Sequence, residues 1–146
     1  MSDGYVFDTE AIISFLYNER GHERVGTLLE QVSAGDVEGY LAETNASEVY
    51  YLVARFEGTP DDEPTAASLR TADRDLRTLT RNGLTLARAD WRHTGEIKAD
   101  GDISLADAAA VALASERDAT LLVGADDDFD SLPVDLDIER FRTDAV

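Results

Sequence analysis

The sequence predicts an α/β protein: a parallel sheet covered by helices on both faces, a three-layer α/β/α sandwich. Three observations predict it. Short apolar runs such as Tyr5-Val6-Phe7 and Thr120-Leu121-Leu122-Val123 alternate with longer segments of helical periodicity. The connections between them are short, so strands and helices alternate rather than gather into separate blocks. The chain has 146 residues, 43% of them hydrophobic, enough to bury one sizeable core. A single domain over residues 1–146 is expected.

The elements follow in order. Tyr5–Phe7 is a strand, and Thr9 to Tyr17 an apolar helix that breaks at Arg20-Gly21. A second helix from His22 to Val32 carries Val25, Leu28, Leu29 and Val32 on one face. After the Gly35-Asp36 turn come a strand over Val37–Leu41 and a helix over Asn45–Phe56. Residues 58–64, with Gly58, Pro60, Pro64 and three acids, are the clearest loop. Thr65–Arg81 is a helix stopped by Asn82-Gly83. Leu84–Ala87 is a strand, and Trp91–Lys98 and Ser104–Arg117 are helices. Thr120–Val123 is a buried strand, and Leu136–Phe141 an edge strand. No repeat, linker or low-complexity segment interrupts the series.

Composition removes whole classes of function. There is no cysteine, and His22 and His93 are the only histidines. Disulfide scaffolds, thiol catalysis and Cys/His zinc sites are excluded, and a bound metal would be a hard cation on oxygen ligands. No apolar run approaches a membrane span. Met1-Ser2-Asp3-Gly4 leads straight into the first strand without a basic segment, so no signal peptide and a cytoplasmic location are expected. Thirty-one acids against thirteen bases give a net charge of −18, and Lys98 is the one lysine. This resembles the proteins of salt-in halophiles. It also means that any nucleic-acid binding does not rest on a general basic field.

Four acids stand at ends of elements. Asp8 follows the first strand and Asp126 follows Thr120–Val123, the ends where parallel sheets build sites. Glu48 and Asp107 are expected in the first turns of their helices. Each has a plain reading. Asn45-x-x-Glu48 and Ser104-x-x-Asp107 fit capping boxes, and Asp8 and Asp126 fit helix N-caps. If the four converge, however, two anions at 4 Å repel by about 4 kcal/mol at an effective dielectric of 20. With no Lys or His in these motifs, Mg²⁺ or Mn²⁺ is the natural counter-charge, and phosphodiester hydrolysis the matching chemistry.

These segments resemble the PIN-domain ribonucleases. The resemblance rests on Phe7-Asp8-Thr9, Ala46-Ser47-Glu48-Val49, Ser104-Leu105-Ala106-Asp107-Ala108 and Gly124-Ala125-Asp126-Asp127-Asp128-Phe129, in that order along nearly the whole chain. Size and a helix-rich first half are similar to the VapC-type toxins of VapBC toxin–antitoxin pairs. The resemblance implies a five-stranded parallel sheet and an Mg²⁺ or Mn²⁺ site of Asp8, Glu48, Asp107 and Asp126, with Asp128 a fifth acid. It also implies cleavage of RNA, a homodimer and a cognate antitoxin. Gly124 departs from the pattern, since relatives commonly carry Thr or Ser there; Thr9 and Ser104 are the nearby hydroxyls. An RNA-maturation nuclease without an antitoxin and an inactive PIN-like binding module are the alternatives.

Arg70, Arg74, Arg77 and Arg81 form one stripe on the Thr65–Arg81 helix, beside an apolar stripe of Leu69, Ala72, Leu76 and Leu79. The basic stripe is either a rail for RNA phosphates, with Thr9 a further contact, or a solvated face with Asp73–Arg77 pairing. Trp91 reads as a core or dimer-contact residue and His93 as a surface one. A phosphatase of the haloacid-dehalogenase type would want Asp where Glu10 stands and a Lys near the late acids. A phospho-receiver domain would want adjacent acids after the first strand. Neither pattern is present.

The charge generates the first expectation. Stability should fall as ionic strength drops and the Debye length grows from about 3 Å in molar salt to about 30 Å in dilute buffer. A salt series of melting temperatures measures it, and a flat series contradicts it.

Overall fold

A computed structural model describes residues 4–143; the residues read above for a signal peptide, Met1 to Asp3, lie outside the described residues. The chain runs β1 (Gly4–Phe7), α1 (Thr9–Leu16), α2 (His22–Ala34), β2 (Glu38–Ala42), α3 (Glu43–Phe56), α4 (Ala66–Arg81) and β3 (Thr85–Ala87). It continues through α5 (Trp91–Asp100), α6 (Leu105–Arg117), β4 (Thr120–Val123), a 3₁₀ turn (Asp127–Phe129) and β5 (Ile138–Arg140). The five strands form one sheet in the order β3-β2-β1-β4-β5, with every pairing parallel. The expected α/β/α sandwich with five parallel strands is what the chain forms.

Strand periodicity assigns each side chain to a layer. Phe7, Leu41 and Leu122 point to the face covered by α1, α2, α3 and α4. Their neighbours Val6, Tyr40, Leu121 and Val123 point to the face covered by α5 and α6. Both faces are apolar because helices cover both. α6 is buried nearly all round: Ala108, Ala110, Ala112 and Ala114 are fully enclosed. Its small side chains let it seat close to the sheet between α5 and α3, with which it also packs.

Turn chemistry sets the ends. Gly35 closes α2 at φ 81°, and Gly83 follows α4 at φ 104°, the left-handed conformation glycine adopts without strain. Thr65 and Ser68 form a reciprocal capping box at the start of α4.

Five expectations need correction. α3 starts at Glu43, because β2 runs into it with no loop and Ala42 serves as its N-cap. Asn45 therefore lies inside the helix and caps nothing, and Glu48 falls in the second turn. On α4 the buried row is Ser68, Ala72, Leu76 and Leu79, whereas Leu69 is exposed. The capping box turns the Ser68 side chain back onto the backbone, so its apolar surface can be enclosed. Trp91, expected in the core or at a dimer contact, is 78% exposed at the first residue of α5, so the core reading fails. Arg92 stacks on its ring instead.

The close seating of α6 is testable. Ala110→Leu should lower stability by about 1–3 kcal/mol through overpacking, read as a shift of the urea midpoint.

Candidate active site

The strand order dictates where a site can form. From β1 the chain moves through α1 and α2 to β2, and through α3 and α4 to β3, on one side of β1. It then returns through α5 and α6, on the opposite face, to β4 on the other side of β1. Crossovers on opposite faces diverge between β1 and β4, leaving a crevice at the carboxyl ends of those strands. A cleft of about 720 Å³ opens there, lined by Asp8, Thr9, Glu10, Glu48, Ser104, Asp107, Asp126 and Asp128 among others.

Each acid arrives by a local rule. Asp8 continues the ladder past β1, its N–H donating to the Leu122 carbonyl at 3.2 Å. Its side chain then accepts the Ala11 N–H at 2.8 Å and caps α1. Ser104 caps α6 by accepting the Asp107 N–H at 3.1 Å, which fixes Asp107 one turn into the helix. Asp126 accepts the Asp128 N–H at 2.9 Å and starts the 3₁₀ turn. That turn, unforeseen in the sequence, brings Asp128 back to the cleft. Carboxylate oxygens of Asp107, Asp126 and Asp128 lie within 4.8 Å of one another. Asp8 and Glu48 line the same cleft but are not part of this tight trio.

Thr9 is buried, and its hydroxyl accepts from Asn45 Nδ2 at 3.0 Å. Asn45 thus ties α3 to α1 rather than capping α3. Arg70, Arg74, Arg77 and Arg81 are all exposed and lie outside the cleft lining. Arg77 pairs with Asp73 at 2.8 Å, one turn away.

Burial and mutual repulsion raise the proton affinity of the acids. Asp8, 3% exposed, is raised well above the ordinary carboxylate range, first by desolvation. The Ala11 N–H opposes that rise without cancelling it, and Glu10, Asp107 and Glu48 add repulsion. Asp107 is raised to about 6, again first by desolvation, with Asp126, Glu48 and Asp128 adding to it. Asp128 is also raised, by desolvation and then by Asp126 and Asp127. An all-oxygen donor set, close-packed and short of positive charge, fits Mg²⁺ or Mn²⁺.

Arg142 is the basic residue among those that line the cleft, and sequence reasoning missed it. Arg142 follows β5 and its side chain is 6% exposed. It bridges Glu10 at 3.2 Å and Glu19 at 3.5 Å, and donates to Ser14 Oγ and the Arg20 carbonyl. No motif marked it, because its partners lie more than a hundred residues away along the chain.

A crevice of acids at the switch point of a parallel sheet defines the class, an α/β protein with a cation-fitting carboxylate site. The sequence profile of the PIN domain matches residues 5–134, and the chain belongs to the PIN-domain family, whose members are in general nucleases. No curated protein sequence matches the chain. Among solved structures it is similar to a chain of VapBC2 from Rickettsia felis, crystallised bound to a DNA fragment from their promoter. The two share 15% identity with a TM-score of 0.64, over 94% of this chain and 98% of that one. At that identity the likeness is one of fold.

The raised Asp107 has a signed consequence. Its folded pKa of about 6 exceeds the unfolded value, so the stability it contributes is present at acid pH and is lost as pH rises through about 6. Asp107→Asn, always neutral, should raise the metal-free melting temperature more at about pH 7 than at about pH 4.5. Equal shifts at both pH values, measured with chelator, would contradict it.

Proposed function

We propose that this chain is a metal-dependent endoribonuclease and the toxin of a type II toxin–antitoxin pair. The observation that carries the nuclease reading is the trio Asp107, Asp126 and Asp128, within 4.8 Å, in a cleft that Asp8 and Glu48 also line. These five acids would hold Mg²⁺ or Mn²⁺. An ion held by these residues would supply Lewis-acid chemistry for phosphodiester hydrolysis.

The protein's own contribution is position. Asp8 is locked by its cap and by the sheet ladder, so its carboxylate is oriented before any ligand arrives. Ser104 and the backbone of α6 fix Asp107 likewise. Thr9 and the exposed Arg70, Arg74, Arg77 and Arg81 are the proposed RNA contacts. Because Arg77 already pairs with Asp73, a phosphate must displace an exposed pair worth only a few tenths of a kcal/mol. The likeness to a chain of VapBC2 supports the toxin reading and a cognate antitoxin; a homodimer is part of the same proposal. A single domain acting in the cytoplasm is a further part of it; no helix among the described residues is long and apolar enough to cross a membrane.

Asp8→Asn and Asp107→Asn should each lower manganese-dependent cleavage of single-stranded RNA by at least about 100-fold, the upper end of what an outer-shell change costs. Both should keep a metal-free melting temperature no lower than the parent's, since the amide relieves repulsion. Active but destabilised variants would refute the metal site and leave only the capping roles.

A further inference from the structure

Two acids of the trio, Asp126 and Asp128, sit on the segment that follows β4, and packing alone holds that segment weakly. Of residues 124–130 only Gly124 and Phe129 are buried, while Asp126, Asp127 and Asp130 are exposed. The same stretch gathers like charge, with acids at 126, 127, 128 and 130. Repulsion among them and from Asp107 works to spread the segment away from α6.

Arg140 holds it from the neighbouring strand. It is the last residue of β5 and is paired in register with Val123, the last residue of β4. Its guanidinium reaches from there over the segment. Nη1 donates to the Gly124 carbonyl at 2.6 Å and to the Asp126 carbonyl at 2.9 Å. Nη2 donates to the carboxylate of Asp130, the residue that ends the 3₁₀ turn. One side chain thus grips the segment at its start, at Asp126 and at its end. A planar fork of N–H groups suits three acceptors at once, which the point charge of an ammonium does not. With its carbonyl held, Asp126 turns its side chain to accept the Asp128 N–H at 2.9 Å, and both carboxylates come to the cleft.

We propose that Arg140 is a positioning residue of the cation site: by clamping residues 124–130 it places Asp126 and Asp128 against Asp107. Its hydrogen bonds go to none of the trio's carboxylates, so it acts through the backbone and Asp130. The proposal rests on the cation site above. The next residue of β5 supplies a control, because Glu139 pairs with Arg24 of α2 at 2.7 Å and neither lines the cleft.

The test compares the full chain with Arg140→Gln, Arg140→Lys and Glu139→Gln. Mn²⁺ affinity is read by calorimetric titration, and metal-free melting temperatures check that each variant is folded at the temperature used. Arg140→Gln should weaken Mn²⁺ binding about tenfold, the scale of an outer-shell loss. Removing a positive charge would by itself tighten Mn²⁺ binding, so a weakening reads the geometry and not the field. Arg140→Lys keeps the charge without the fork and should lie nearer to Arg140→Gln than to the parent. Glu139→Gln should lower the melting temperature and leave Mn²⁺ affinity at the parent's value. Unchanged or tighter binding in Arg140→Gln would overturn the proposal and leave Arg140 a stabilising strand residue. Full recovery in Arg140→Lys would overturn the three-point grip. A loss in Glu139→Gln equal to that in Arg140→Gln would trace the effect to β5 as a whole and overturn the clamp. Proteins that follow the expected pattern but cut no RNA would refute the nuclease reading and uphold the clamp. A parent that binds no Mn²⁺ would overturn the cation site and the proposal with it.

Discussion

The parallel pairing of β1 with β4 is the constraint on which the rest depends. Phe7 stands opposite Leu122, and the ladder runs one bond further to the Asp8 N–H. That register makes the two strands end together, so the residues just beyond each, Asp8 on one and Gly124 to Asp126 on the other, face a common space. The space stays open because the crossovers to β2 and to β4 lie on opposite faces. A slip of one residue would turn Phe7 and Leu122 out of their layer, so burial of those side chains fixes the geometry of the cleft.

At this crevice the capping roles of the acids coincide with the roles proposed for them at a cation site. Asp8 and Asp126 are caps, and Asp107 is held by one. Capping orients the carboxylates and places them at positive helix ends, where a negative charge is favoured by about 0.3–1 kcal/mol. Two anions in contact repel by several times that at an effective dielectric of 20. Desolvation, with repulsion added to it, wins, and Asp8 and Asp107 are raised in spite of their hydrogen bonds. A fold that assembles acids beyond what its caps can neutralise has oxygen donors that could hold a cation.

Scarcity of positive charge shapes the remainder. Among thirteen basic residues, Arg142 is the one whose side chain is enclosed beside the cleft. Its guanidinium spans Glu10, Glu19, Ser14 and a backbone carbonyl, which joins the C-terminal strand to α1 and to the loop after it. The planar, multiply donating head suits such a bridge better than an ammonium would. Glu10 is thereby held where it is, and the glycine at 124 gives it room.

The sequence by itself determined the elements and their layering. Strand and helix periods are local properties, so Tyr5–Phe7, Thr120–Val123 and the alanine-rich helix over Ser104–Arg117 could be read from residue spacing. The acids at strand ends and helix starts were equally legible, because caps and chain order are local too. Tertiary structure decided what depends on neighbours distant in sequence. It started α3 at Glu43 by joining it directly to β2, and it turned Ser68 inward and Trp91 outward. It drew Asp128 into the tight trio through a 3₁₀ turn, and it brought Arg142 to Glu10 and Glu10 to Gly124. None of these leaves a periodic trace, since each is fixed by which surfaces meet when the sheet closes between β1 and β4.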